Sequence, residues 1–544
     1  MNELFNRHLL AVRPAQTRIL WAVFVFCLLP FIIFSFFNGM SGDDYMLAIY
    51  YRQNGFFGTQ RIIYGQWTGR FTSTFIGTVF IKFGWPQRYY FLHALLLFGC
   101  SWGAILFLLS SVNRYFLHRL FTRSALALAG AILLLVTIYV QAEVATGFYW
   151  FSSAVTYQTA LILFLLLGGM LVRRFASSAI PSPATPSFPI PSSPIPSSPI
   201  PSSRSVSAFR PHWRDDAVIS ILAFLISGCN EIAAIFLAFF FAMLIVAAYY
   251  YRRAIPVSLF VYMAVCGITG GIVLLTSGVL SVRSGFMNHH TPIAAVLPMI
   301  LFRSAAVFYY ILKVPLFWIA GGLLYLIGRR VAVSFPLLPG QKFLVPGLIA
   351  LPVLVLCTLT AILMVSKGAL PDRALNNLVD LAAIGLLGLA FLAGISAATP
   401  SSYNPSSAPV IPSSAPVIPS SAPVIPSPVL VIILIAGMLA SDSFPEAWRN
   451  DLSGYFYHSI QRDRLQKMEE AGQNHQKTVV LQPYNEALQE KIHRVFPHGT
   501  FATVRTLLEE RPSFLFYLKD PDRIDPMPLY YYSLDSVTVK SPKM

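Results

Sequence analysis

Apolar stretches of about twenty residues recur from Leu20 to Pro428, and no other feature constrains this chain as strongly. A run of that length crosses the hydrocarbon core of a bilayer as an α-helix, which rises about 1.5 Å per residue. Such a helix satisfies its backbone polar groups internally, as lipid demands. The composition agrees. Of the 544 residues 56% are hydrophobic and only 11% are charged, where a soluble domain carries roughly a quarter.

The charge is unevenly spread. From Met1 to Ala440 there are 26 Lys and Arg against nine acids, and from Ser441 onward 13 basic and 14 acidic residues. The net charge of +16 therefore belongs to the apolar part. There it speaks for topology and contact with membrane lipids, not for nucleic acid. Cys27, Cys100, Cys229, Cys266 and Cys357 all lie in or beside apolar runs and form no CxxC. They read as small buried apolar residues, outside any disulfide or metal site. The first apolar run is long, follows a basic start and lacks a small-residue cleavage site, so it reads as a retained anchor.

Arginines orient the helices. Arg7, Arg13 and Arg18 place the N-terminus in the cytoplasm. A helix over 19–37 then delivers Ser41-Gly42-Asp43-Asp44-Tyr45 to the outer face, and 70–83 is expected as a short interfacial helix after an outer loop. The basic residues Arg114, Arg119, Arg123, Arg173, Arg174, Arg252, Arg253, Arg329 and Arg330 mark later returns to the inside. The run 217–251 is too long for one helix and is expected to turn near Glu231. Two low-complexity insertions, about 176–212 and 398–427, are built of Pro and Ser and read as cytoplasmic linkers. The expected fold is an all-α polytopic membrane bundle over 1–440 with about eleven transmembrane helices. Residues 441–544 suffice for a small extracytoplasmic α/β or α+β domain. It is expected to hold a polar helix over 451–471 and strands at 478–481, 513–518 and 529–532.

The residues suited to chemistry gather at the predicted outer helix ends. Asp43 and Asp44 stand out in a chain poor in acids. Of two adjacent carboxylates one can take a proton while the other orients a substrate or metal; the pair equally suits a solvated loop start that caps a helix. Both are expected to be partly hydrated. Arg70, beside Trp67, can contact a lipid phosphate or anchor the interface. Glu143 and Glu231 are helix-end acids that could complete an acidic site with the aspartates. Arg283 and Arg373 fall in outer loops, and a guanidinium binds phosphate through two parallel hydrogen bonds. His289-His290 has no third ligand beside it and makes no metal site. Motifs for ATP-driven transport, zinc proteolysis or serine hydrolysis are missing from the contexts they need.

A cytoplasmic N-terminus, one helix and an outer loop opening on an acidic pair resembles the GT-C class of membrane glycosyltransferases. More closely, the chain resembles a bacterial multi-pass family of unassigned function thought to be GT-C-like. The matching stretches are Ser41 to Tyr45, Gly69-Arg70 and Trp150-Phe151-Ser152-Ser153-Ala154-Val155-Thr156-Tyr157. Ser227 to Glu231, the Arg283 loop and Pro371-Asp372-Arg373 match more loosely, and the likeness covers most of 19–395. The Arg283 loop departs from the Pro-Gly-Asn-like turn expected there, and the Pro/Ser insertions are unusual for the family. The resemblance implies a polyprenyl-phosphate sugar donor, inversion at the anomeric carbon, and a catalytic acid at Asp43 or Asp44. Arg70, Arg283 and Arg373 would hold the donor phosphate, with a divalent metal optional and no cofactor required. The acceptor would be an envelope glycan, lipid or protein at the outer face of the bacterial cytoplasmic membrane. The alternatives are a glycolipid transporter or flippase, and a non-catalytic envelope assembly factor.

Overall fold

The computed structural model describes residues 14–117, 119–176, 213–252, 255–276, 293–334, 340–366, 372–398, 427–495 and 536–539. Among them eight helices are long and apolar enough to cross a membrane. They are α1 (Pro14–Ser35), α4 (Tyr90–Tyr115), α5 (Arg123–Val140), α6 (Phe151–Ala176), α8 (Glu231–Arg252), α9 (Val257–Leu275), α12 (Gly340–Ser366) and α13 (Asn376–Ala398). Between α1 and α4 lie α2 (Asp43–Gln66) and α3 (Phe71–Lys82). Helix α7 (Trp213–Ser227) precedes α8. Helices α10 (Ile293–Leu312) and α11 (Pro315–Ser334) are bent by 75° at their join and count as a ninth span if taken together. Pro315 opens α11, and a proline there withholds the N–H that would continue the α10 hydrogen-bond ladder.

The architecture is thus an all-α multi-pass bundle. Of the expected crossings, α7 and α14 (Ser427–Leu439) have only 15 and 13 residues, shorter than the hydrocarbon core at about 1.5 Å per residue. The long run 217–251 does break, at 228–230, into α7 and α8. The short helix expected over 70–83 is α3. The outer loop expected between Ser41 and Arg70 is instead mostly helix, because α2 begins at the acidic pair itself. Two acids in a first turn suit the positive end of the helix dipole.

Close packing sets the core. A Cβ at Gly394 would lie 1.9 Å from the Tyr325 carbonyl oxygen, and one at Gly328 would lie 2.1 Å from that of Phe391. These glycines let α11 and α13 meet backbone to backbone, as small residues do in membrane bundles. At one end of the bundle α6 is tied to α7 by Arg173–Asp215 at 3.3 Å and Arg174–Asp216 at 2.8 Å. The Tyr262 hydroxyl of α9 also donates to Asp216. The Pro/Ser insertions fall outside the described residues.

The tail opens on α15 (Ser443–Gln473), longer than the expected polar helix. It runs along α1, with Phe444 and Trp448 on Phe26 and Tyr455 on Phe37, at ring separations of 5.5, 5.6 and 5.9 Å. The expected strand 478–481 is β1 (Thr478–Leu481), followed by α16 (Tyr484–Val495). It pairs in parallel with β2 (Ser536–Val539), Thr478 opposite Ser536. The strands expected at 513–518 and 529–532 lie outside the described residues.

Two expectations follow. Gly394→Ala should destabilise the detergent-solubilised protein by about 1–3 kcal/mol, because the new methyl meets backbone that cannot rotate away. Gly388→Ala, with nothing within 4 Å of its Cβ, should leave the thermal midpoint unchanged or slightly raised. The second concerns Asp451 on α15, whose buried carboxyl oxygens lack hydrogen-bond partners. Burial pushes this acid up to about 8. An acid raised on docking favours the docked helix below its free value of about 4 and loses that contribution as the pH climbs. Protease cleavage within 443–473 should therefore be faster at about pH 8.5 than at about pH 6, and Asp451→Asn should remove the difference.

Candidate functional site

The sequence-predicted residues converge on the first turns of α6. A helix begins with four backbone N–H groups that have no partner in the helix. Here an acid from a distant segment meets them. Asp44 is fully buried. Its Oδ1 accepts from the Ser152 N–H at 2.9 Å and from the Ser152 hydroxyl. Its Oδ2 accepts from the Tyr90 hydroxyl at 2.7 Å and the Ser41 N–H at 3.2 Å. Tyr90 in turn accepts the Phe151 N–H at 3.0 Å. Four donors on an acceptor-only carboxylate, at the positive end of a helix, favour the charged form. Burial works the other way and raises the acid to about 6, with the Ser152, Tyr90 and Ser41 hydrogen bonds opposing that rise. Both Asp44 oxygens are thus committed to the protein.

Asp43 differs. It is half-buried and lies in the electrostatic field of Arg70. The partial hydration expected of both aspartates holds for Asp43 and fails for Asp44, because Asp44 turns inward to cap α6. Arg70, about a third exposed, donates to Glu231 Oε2 from Nε at 3.0 Å and from a terminal nitrogen at 2.9 Å. Burial opposes its charge, but Glu231, Tyr157 and Asp43 outweigh that and raise its pKa. Arg70, Glu231 and Asp43 thus form one charged cluster.

Polar contacts at the α7–α8 break position Glu231. The Thr72 N–H donates to the Gly228 carbonyl at 2.9 Å, and the Ser73 hydroxyl to the Cys229 carbonyl at 3.0 Å. A Cβ at Gly228 would lie 2.2 Å from the Phe71 ring, so this approach needs glycine. Asn230 caps α8 by accepting the Ala233 N–H at 2.8 Å, and donates to the Thr156 carbonyl of α6 at 3.0 Å. Glu231 is then delivered at the α8 N-terminus, facing Arg70.

Glu143 and Arg373 occupy a neighbouring position. Glu143 precedes a π-helical turn, Ala145–Tyr149, and its backbone exchanges two hydrogen bonds with the Asn376 amide, at 3.1 and 2.8 Å. Its carboxyl is raised by burial, against Thr146 and Arg373. The Arg373 guanidinium lies 4.7 Å above the Trp150 ring, a cation–π contact. Trp150 is two residues before Ser152, so the α6 start joins the Arg373 position to the Asp44 position. Beside it Asp372 pairs with Arg303, which sequence reasoning did not single out. Arg283, His289 and His290 lie outside the described residues.

Among the described residues no group of three or more His, Cys, Asp and Glu side chains could hold a metal ion. Tyr90, Ser152, Asn230 and Asn376 were missed as site residues. Ser152 and Asn230 appeared only inside the stretches matched to the family, and Tyr90 and Asn376 showed only as polar side chains at the edge of an apolar run. No family model matches the chain, no curated protein is significantly similar to it, and no solved structure matches it significantly. Sequence and fold therefore define an all-α multi-pass membrane protein in which Asp43, Arg70 and Glu231, at the starts of three helices, form a charged cluster.

The geometry separates the two aspartates. Asp44→Asn places an amide NH₂ among four donors, and should destabilise the fold by about 2–4 kcal/mol, since a buried donor without an acceptor is costly. Asp43→Asn should change the stability by no more than about 0.5 kcal/mol. Thermal unfolding of the two purified variants decides between this division and equal roles.

Proposed function

We propose that the protein is a GT-C-like glycosyltransferase moving one sugar from a polyprenyl-phosphate donor to an envelope glycan, lipid or protein acceptor. The observation that supports this best is Asp43 beside the Arg70–Glu231 pair, at the polar end of an apolar bundle. A base and a guanidinium side by side at a membrane edge suit a hydroxyl nucleophile and a lipid-borne phosphate. In this proposal Asp43 takes the acceptor hydroxyl proton as the oxygen attacks the anomeric carbon. The bond from that carbon to the phosphate oxygen breaks, with inversion, and polyprenyl phosphate leaves. Arg70, with Arg373 and Arg283, stabilises the charge developing on the phosphate. Glu231 orients Arg70, while Glu143 acts on Arg373 through its field. Asp44 is a positioning residue. A divalent metal is optional, because phosphate is already a good leaving group.

The proposed setting is the outer face of the bacterial cytoplasmic membrane, with the N-terminus inside. Eleven crossings, with α7 and α14 counted among them, would bring the C-terminal segment outside. A glycolipid transporter is the second reading, favoured by one observation, the buried acid Asp380 inside the α13 span.

Sugar transfer from a polyprenyl-phosphate donor in liposomes tests the proposal. Asp43→Asn should lower the rate roughly 10²–10⁴-fold, the usual contribution of a general base, with the thermal midpoint kept. Transfer at the parent rate would remove Asp43 from the role of base. No transfer by the parent, with glycolipid movement instead, would favour the transporter.

A further inference from the structure

The tail holds a cleft that the proposed transfer does not use. It has a volume of about 370 Å³ and lies between α15 and α16, at the end of β1. Ile460, Leu481 and Ala487, all buried, supply its apolar wall. The rest of the lining is charged or amide, with four basic and three acidic side chains.

Most of that charge is matched within the cleft. Lys491 Nζ pairs with Asp463 at 2.7 Å, and Arg494 pairs with Glu490 one turn earlier. Glu470 accepts from the Gln466 amide at 2.9 Å. Arg464 and Lys467 take no part in these pairs. Residues three apart on a helix share a face, so both present their charge from the same side of α15. Arg464 is only 5% exposed, and a terminal nitrogen donates to the Gln482 carbonyl at 2.8 Å, just past β1. Arginine is seldom buried this far, and here a buried one borders a cleft. Lys467 is exposed, with its ammonium on a flexible four-carbon stem.

We infer that this cleft binds a hydroxyl-bearing phosphate ester, with Arg464 and Lys467 on the phosphate. A guanidinium fork engages two phosphate oxygens in parallel, and an ammonium beside it takes a third as a point charge. A carboxylate has only two oxygens, and the fork would occupy both. One more basic than acidic side chain makes the cleft positive before a ligand enters. The carboxylates in the lining are acceptors, which suits hydroxyl groups on the organic part, and the apolar wall suits its carbon skeleton. A soluble phosphate ester and the headgroup of an anionic phospholipid share this chemistry.

Hydrogen–deuterium exchange over residues 456–494 of the full-length protein in detergent tests the inference. The probes are glycerol 3-phosphate and a short-chain phosphatidylglycerol, with sodium chloride at the same ionic strength as the blank. A saturable slowing of exchange is expected with at least one probe. Slowing by glycerol 3-phosphate identifies a soluble ester as the ligand, and slowing by phosphatidylglycerol alone identifies a lipid headgroup. Lys467→Ala should raise the concentration for half-saturation by about tenfold or more, the usual loss for a hydrogen bond to a charged group. Arg464→Lys should weaken binding too, since the fork is lost while the charge stays. If Arg464→Lys fails to fold, the exposed Lys467 still decides. Arg462, also exposed on α15 but outside the cleft, is the control, and Arg462→Ala should bind like the parent. No slowing with either probe would overturn the site. So would undiminished binding by Lys467→Ala, or an equal loss in Arg462→Ala, which would mean attraction by net charge alone. The readout involves no sugar transfer, so its failure and that of the proposed function are distinguishable.

Discussion

The hydrogen bond from the Ser152 N–H to Asp44 is the contact on which the polar end of the molecule depends. It joins the segment after the first helix to the first turn of α6, and through Tyr90 it includes α4. A carboxylate cannot be buried in an apolar bundle without several donors, and the start of a helix is where unpaired donors are found. Each side solves the other's problem. With α6 held there, Trp150 is placed under Arg373, the Thr156 carbonyl receives Asn230, and the Tyr157 carbonyl receives Asn377.

Most of these ties are neutral amides bonded to backbone carbonyls. In a low-dielectric setting that economy is sensible. An Asn side chain can bridge two elements without bringing a charge that needs pairing. At the charged cluster Arg70 and Glu231 are paired where the guanidinium is still about a third exposed and the ion pair retains some hydration. The scarcity of acids in the membrane part is thus matched by amides at helix breaks.

The bundle was legible because lipid forces helix, and helix length is written in apolar runs. The break within 217–251 was legible from Ser227-Gly228-Cys229-Asn230-Glu231, where small and polar residues interrupt an apolar run too long for one helix. Helix α2 was not, since it is polar and shows no apolar period. Strand β2 escaped for another reason: four residues pair with a strand more than fifty positions earlier, a separation that local pattern does not encode. At the site, Asp43-Asp44 was visible as a pair, but which one turns inward is decided by tertiary contacts. The Arg70–Glu231 pair joins residues 161 apart, and neither carries a local mark of the other.

The ion pairs between α6 and α7 bear on how the chain holds together as an object. Arg173 and Arg174 close the chain before the first Pro/Ser stretch, Asp215 and Asp216 reopen it afterwards, and Tyr262 adds a third helix to the clasp. The covalent path between α6 and α7 passes through residues 177–212, whereas the mechanical path passes directly through the clasp. A cut in the intervening stretch would sever the backbone and leave that path intact. The protein is in this sense two polypeptides' worth of bundle already fastened side by side, with the peptide chain as a second, redundant fastening.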